Sequence, residues 1–167
     1  MAAGITYTPI ATTTLGSAAS SVTFSSISGS YTDLVLVMNG GTAATTNVQL
    51  RFNSDTGTNY SSTQLYGDGS AAGSARYSNA AGLQVNYYGY PENAFDWNSI
   101  CHIQNYSNAT TYKTVIARAN RAGNGTNASV GLWRSTSAIT SVTIRSSDGS
   151  TNFNVNSTFS LYGITAA

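Results

Sequence analysis

The lone cysteine and the lone histidine of this chain, Cys101 and His102, are neighbours, which raises thiol–imidazole chemistry at once. A nucleophile and its base must sit within hydrogen-bond reach of each other. Residues 99–104, SICHIQ, read as a strand, and adjacent side chains on a strand project to opposite faces, so thiol and imidazole are expected to diverge. A buried cysteine beside a half-exposed histidine is the expectation. One histidine also cannot complete a zinc ligand set or a Ser-His-Asp triad. The acids are Asp33, Asp55, Asp68, Glu92, Asp96 and Asp148. Glycoside hydrolysis needs two carboxylates across a scissile bond. Loops could bring Glu92 and Asp96 near a third acid, but nothing in the spacing selects that arrangement. Asp55, Asp68 and Asp148 each precede a glycine by one or two residues, where a carboxylate bonding to its own turn is the ordinary role. Residues 55–59 hold too few carboxylates for a calcium loop. No catalytic residue, metal or cofactor is therefore expected, and the chain does not read as an enzyme.

Aromatic rings are the other concentrated feature. Residues 86–97, NYYGYPENAFDW, carry five aromatics. Tyrosine and tryptophan bury a large area while keeping a polar handle, so such a run suits a platform for sugar rings or a hot spot for a protein partner. About half of these rings are expected to be core packing. Tyr88, Tyr90 and Trp97 are the candidate contacts to a partner or a glycan.

The elements that must position these residues are strands. Val48, Leu50 and Phe52 alternate with Gln49, Arg51 and Asn53, the period-two signature of a half-buried strand, and a polar turn follows at residues 53–59. The same pattern recurs around Val22 and Phe24, in residues 83–88, 99–104 and 112–119, and near Ala128, Val130 and Leu132, which share a face opposite Gly131 and Trp133. Residues 138–145 and 158–164 end the series, with Asp148-Gly149 between them as a hairpin signal. Residues 31–38, YTDLVLVM, are apolar on both alternating sets and suit a central strand covered on both faces. The Gly/Ala/Ser-rich residues 67–82 are expected to form a mobile loop or an excursion ordered by a neighbour. Nine or ten short strands without helical periodicity predict an all-β fold, an antiparallel β-sandwich of jelly-roll-like type. Residues 22–167 form its single domain, and residues 1–21 are an extended lead-in that serves either as an arm or as an edge strand.

Composition narrows the partners. Only 8% of residues are charged, where soluble domains average about 25%. Formal net charge is +1, and the six arginines and one lysine are dispersed, so nucleic acid is not an expected partner. No run approaches the roughly 20 apolar residues needed to span a bilayer, so a membrane is not expected either. The first twenty residues lack a basic and then uninterrupted apolar stretch, and synthesis in a cytoplasm is the expectation. Low charge weakens the repulsion that keeps free proteins apart, which points to life packed against other subunits.

Residues 10–37 (IATTTLGSAASSVTFSSISGSYTDLVLV), 50–62 (LRFNSDTGTNYSS), 103–118 (IQNYSNATTYKTVIAR), 130–144 (VGLWRSTSAITSVTI) and 157–164 (STFSLYGI) resemble a family of bacteriophage virion proteins found as capsid-surface proteins, head fibres and tail-fibre tips. The resemblance implies a non-enzymatic β-sandwich on the surface of a phage particle. Because no fibre shaft precedes the module, it favours a capsid decoration protein that stabilises the head, contacts the major capsid protein or other virion subunits, and forms a homo-oligomer, often a trimer. The alternative it leaves open is a receptor-binding tail or head-fibre module recognising host-surface glycan.

Overall fold

The computed structural model describes residues 6–165, and within them all regular structure is extended. Eight strands form one sheet in the order β1 (Tyr7–Thr14), β12 (Thr158–Ile164), β3 (Asp33–Gly40), β8 (Trp97–Gln104), β9 (Lys113–Arg121), β10 (Gly125–Trp133), β5 (Tyr60–Gly67) and β6 (Ala72–Ala80). Four form a second sheet in the order β2 (Ser21–Phe24), β11 (Val142–Ser146), β4 (Val48–Phe52) and β7 (Leu83–Gln84). Every pairing is antiparallel. The two sheets enclose one core, so the all-β antiparallel sandwich is the architecture. Its eight-plus-four division is wider than the eight strands of a jelly roll.

The core is made where the inward sets of both sheets meet. Leu34, Leu36 and Met38 of β3, Cys101 and Ile103 of β8, and Phe159 and Leu161 of β12 are fully buried. From the small sheet, Val48, Leu50 and Phe52 of β4 and Val142 and Ile144 of β11 meet them. The alternation read from the sequence at residues 48–53 thus points the expected residues inward. At one end, Phe52, Tyr60 and Trp133 pack as a ring cluster with centroids 5.5 to 6.2 Å apart. Burial pushes the Tyr60 hydroxyl up to about 12, and that hydroxyl accepts from Phe52 N at 3.0 Å. Lys113 is the one lysine, and it is fully buried; its Nζ donates to the carbonyls of Thr111 and Thr136 at 2.7 and 3.1 Å.

Several expectations need correction. The described residues form twelve strands rather than nine or ten. Of the two roles left open for the lead-in, residues 7–14 take that of an edge strand, β1, paired in register with β12; residues 1–5 lie outside the described residues. Residues 67–82 are not a mobile loop. Most of them form β6, turned back on β5 by Asp68, whose carboxylate accepts from the N–H groups of Ser70 and Ala71 at 2.8 Å each. Small residues are required there because the Tyr66 ring lies on Gly73, where a Cβ would come within 2.7 Å of the phenol oxygen. Only Leu83 and Gln84 of residues 83–88 are strand, since Asn86 turns its side chain to the backbone of Val48 at 2.7 Å. Strand in residues 138–145 starts only at Val142. Asp148-Gly149 does not close a hairpin, because β11 and β12 lie in different sheets. Finally, β3 is fully buried on its inner face at Leu34, Leu36 and Met38, while its outer set grades from buried Val35 through half-buried Val37 to exposed Asn39.

Leu50 is fully enclosed between β11 and β7, which pair with it through Ile144 and Leu83. Leu50→Ala is expected to lower unfolding free energy by about 2–5 kcal/mol in a denaturant titration, the usual cost of lost contacts plus a residual cavity.

Candidate functional site

The outer face of the eight-stranded sheet is where large apolar side chains reach the surface. Leu65, Ile100, Ile116 and Val130 are 65%, 40%, 47% and 56% exposed. The pairing registers set them in two adjacent rows. One runs Val37, Ile100, Arg118, Ala128, Leu65, and the next Val35, His102, Ile116, Val130, Thr63, Arg76. The flanking rows are mainly polar, with Asn39, Asn98, Asn120 and Thr126 on one side and Gln104, Thr114, Leu132 and Ser61 on the other. Among the described residues, eight large apolar side chains are exposed, and five of them, these four and Tyr7, belong to this face. That concentration separates the face from the scattered apolar residues any surface carries. Between the projecting side chains lie adjoining depressions of about 380, 700, 300 and 290 Å³ that share Ile100, Ile116, Arg118, Val130 and Leu65 as walls.

Strand β10 explains why the face is apolar. Its outward set, Ala128, Val130 and Leu132, is more apolar than its inward set, Asn127, Ser129 and Gly131, with Trp133 the exception. The inward set does not meet a flat sheet. It meets the backbone of the chain crossing from β7, and polar groups are needed to satisfy that backbone. Asn127 Nδ2 and Ser129 Oγ both donate to the Val85 carbonyl, at 3.3 and 3.1 Å, and Asn127 Oδ1 accepts from Tyr87 N at 3.0 Å. Gly131 leaves room for Leu83, whose side chain would lie 2.5 Å from any Cβ there. A strand ordinarily turns its apolar set to the core and its polar set to water. Here the larger aliphatic set is bare.

The aromatic run divides between two places. Tyr87, Tyr88 and Tyr90 join Tyr66 and Tyr77 in a half-buried cluster: Tyr88 stacks on Tyr66 with centroids 4.8 Å apart and an angle of 14°, Tyr87 lies 4.7 Å from Tyr66, and Tyr90 lies 5.5 Å from Tyr88. Asn124 Oδ1 fixes the bend, accepting from the N–H groups of Gly89 at 3.0 Å and Tyr90 at 3.4 Å. Gly89 takes φ +63, and a Cβ there would come within 2.9 Å of the Asn120 backbone. One face of Tyr88 is thus taken by Tyr66, while Tyr90 leans on Tyr88 at 31°. Trp97 is not with them. It is 2% exposed, on the inner face of β8, so its ring cannot serve as a surface contact.

The titratable groups fall into structural roles. Cys101 is fully buried, and burial pushes its thiol up to about 12. His102 projects to the other face, as expected, with Nε2 3.1 Å from Asp33 Oδ2. Glu92 and Asp96 do come together, but around a cation: both pair with Arg121, Asp96 at 2.9 and 3.0 Å from Nε. Asp55 accepts from Trp133 Nε1 at 2.7 Å, Asn59 Nδ2 at 2.9 Å and Gly57 N at 2.8 Å. Burial alone would raise its carboxyl, and these donors together hold it below the ordinary range. Asp148 accepts six hydrogen bonds, from the N–H and hydroxyl groups of Ser150 and Thr151 and from the hydroxyls of Ser146 and Thr46. Among the described residues, no three or more His, Cys, Asp and Glu side chains gather where they could hold a metal ion. Among the described residues, the acids pair with cations or accept from turn donors, and Cys101 is turned away from His102.

Sequence reading did not single out Leu65, Ile100, Ile116 and Val130. The available signal was that Ile100 and His102 alternate with Cys101 and Ile103, giving one strand apolar residues on both faces. Comparison with known proteins adds nothing further: no family model, no curated protein and no solved structure matches this chain.

Asp148 supplies a pH test. Burial is the largest single influence and opposes ionisation, but the donors from Thr151 and Ser150 together outweigh it and depress its folded pKa. A depressed carboxyl stabilises the fold above its unfolded value of about 3.9 and loses that contribution as pH falls toward the folded value. Asp148→Asn is therefore expected to melt at lower temperature than wild type at pH 7, with the gap closing below about pH 4. Thermal melts at pH 7, 4 and 2.5 check this, and a gap independent of pH would remove the carboxylate from the account.

Proposed function

We propose that the protein is a non-enzymatic structural subunit of a bacteriophage particle, a capsid decoration (cement) protein that stabilises the head by binding the assembled shell. One observation carries the assembly part of this reading: the aliphatic set of β10 and its neighbours is presented outward on a broad sheet face. The low charge of the chain supports it, because little has to be desolvated or neutralised when such a surface is covered. The phage part rests on the resemblance of residues 10–37, 50–62, 103–118, 130–144 and 157–164 to virion proteins.

The mechanism is linkage. A subunit that binds only the assembled shell stabilises it by RT ln(1 + [L]/Kd), about 2.7 kcal/mol per occupied site at a hundredfold excess over Kd. Over many sites this becomes a large barrier to shell rupture. The aliphatic character of the face also favours this reading over glycan recognition there, since sugar rings are bound by aromatic faces and Leu65, Ile100, Ile116 and Val130 are aliphatic.

Particles stripped of the protein are expected to release their genome at lower temperature than intact ones, and to recover on adding it back. Equal thermal robustness combined with failure to adsorb to host cells would instead support a receptor-binding role.

A further inference from the structure

We infer that β1 is an exchangeable strand, which in the assembled protein leaves its own β12 and pairs in the same register with β12 of a second copy. The inference rests on the reading above that the chain is an assembly subunit, and it names the segment that ties one subunit to the next. The two edges of the large sheet differ. Strand β6 closes one edge and is tied into the chain on both sides, by the Asp68 turn to β5 and by residues 81–82 to β7. Strand β1 closes the other, and among the described residues a single connection, residues 15–20, joins it to the rest of the sandwich. It pairs with β12 alone. Its hold there is light. Pro9 brings no N–H to the ladder, the register shifts between Pro9 and Ala11, and none of the β1 side chains is buried. Ile10 packs against the core from a half-buried position. The Thr12–Ser160 and Thr14–Thr158 hydroxyl bonds are exposed, so water competes for them. The anchor is Leu15, a buried side chain whose N–H donates to the Ser157 carbonyl at 3.0 Å and whose carbonyl accepts from Asn156 N at 2.8 Å. Gly16, Ser17 and Ala18 follow it, all exposed, with open space around Gly16, and they form the hinge.

The partner follows from the fit. Exchange of an identical element reuses contacts that the single chain already makes, so shape, register and hydrogen bonding between β1 and a second copy's β12 are matched in advance. No new apolar surface has to be complementary. Neither β1 nor β12 carries a charged residue, so the exchange brings no like charges together. With the hinge extended, Leu15 seats in a neighbouring copy about 13 Å from Ala19 of its own chain. The contacts broken and remade cancel, and the closed and exchanged forms then differ mainly by the cost of bringing two copies together. Subunits already held side by side have most of that cost removed, because their effective concentration is far above that in free solution. Exchange is thus disfavoured in dilute protein and favoured in an assembly.

Cross-strand disulfides test this. Thr12 and Ser160 are directly opposed, with their hydroxyls 3.0 Å apart, so thiols at these positions meet when β1 and β12 are paired. The full chain carrying both Thr12→Cys and Ser160→Cys, oxidised with glutathione disulfide in its native assembly, is expected to run as covalent dimers and longer species on non-reducing denaturing electrophoresis. Cys101 is fully buried and stays silent. Separately, Thr12→Cys and Ser160→Cys proteins mixed as full chains should give a dimer whose share rises with concentration, and peptide mapping should locate its bond between positions 12 and 160. Thr14→Cys with Thr158→Cys, two residues along the same ladder, is expected to behave alike. Cross-links that stay within one chain in the native assembly would overturn the inference, and so would a mixture that yields no 12–160 dimer at any concentration. If the links stay within chains while stripped particles are less robust than intact ones, the inference fails and the decoration reading stands. If the links join copies while stripped and intact particles are equally robust, the decoration reading fails and the inference stands.

Discussion

The constraint on which this structure turns is a mismatch of widths: a sheet of eight strands packs against a sheet of four. A β-sheet must have at least one face removed from water to be stable, and the small sheet can cover only part of the large one. The inward sets of β3, β8 and β12 and those of β2, β11 and β4 share one apolar core. Beyond them, only one end of β5 and β10 meets the small sheet, where Tyr60 and Trp133 pack on Phe52 and Gly131 receives Leu83. The rest of their inner face, and that of β6, meets the chain that follows β7, which brings backbone carbonyls, N–H groups and tyrosine rings rather than a second apolar sheet.

That substitution sets the chemistry of each element in the region. An inner face that meets backbone must supply hydrogen bonds, so β10 turns Asn127 and Ser129 inward to the Val85 carbonyl and Tyr87 N. The inner face of the β5–β6 hairpin meets rings, so Tyr66 and Tyr77 join Tyr87 and Tyr88, and Gly73 gives way beneath Tyr66. The aliphatic residues of these strands are left for the outer set. Polar satisfaction inside and apolar exposure outside are one consequence of the same geometry. In the single chain this face stays in water, and the proposed assembly role builds on that exposure.

Much of the scaffold was legible because alternation is a local signal. Val48, Leu50 and Phe52, Val22 and Phe24, and Cys101 opposite His102 all lie as a period-two reading places them. The lead-in and residues 67–82 were harder for a physical reason. Strand β6 is an edge of small residues whose place is fixed by the Tyr66 ring and the Asp68 turn, contacts that no short-range pattern encodes. The candidate site was hardest. Alternation groups Ala128, Val130 and Leu132 correctly on one face, but which face is inward depends on the chain arriving from residues 85–87, some forty residues away. Trp97 was misplaced for the same reason: its position within an aromatic run gave no sign that it opens β8 on the inner face, away from the tyrosine cluster that precedes it.

The central claim is that the outer face of the large sheet is covered in the working state of the protein. Hydroxyl-radical footprinting, read residue by residue, measures this directly. In the native assembly Leu65, Ile100, Ile116 and Val130 are predicted to be protected from oxidation, while Phe95 and Val155, exposed in the connections before β8 and β12, are labelled freely. Labelling of those four aliphatic side chains in proportion to their exposure in the single chain would contradict the claim.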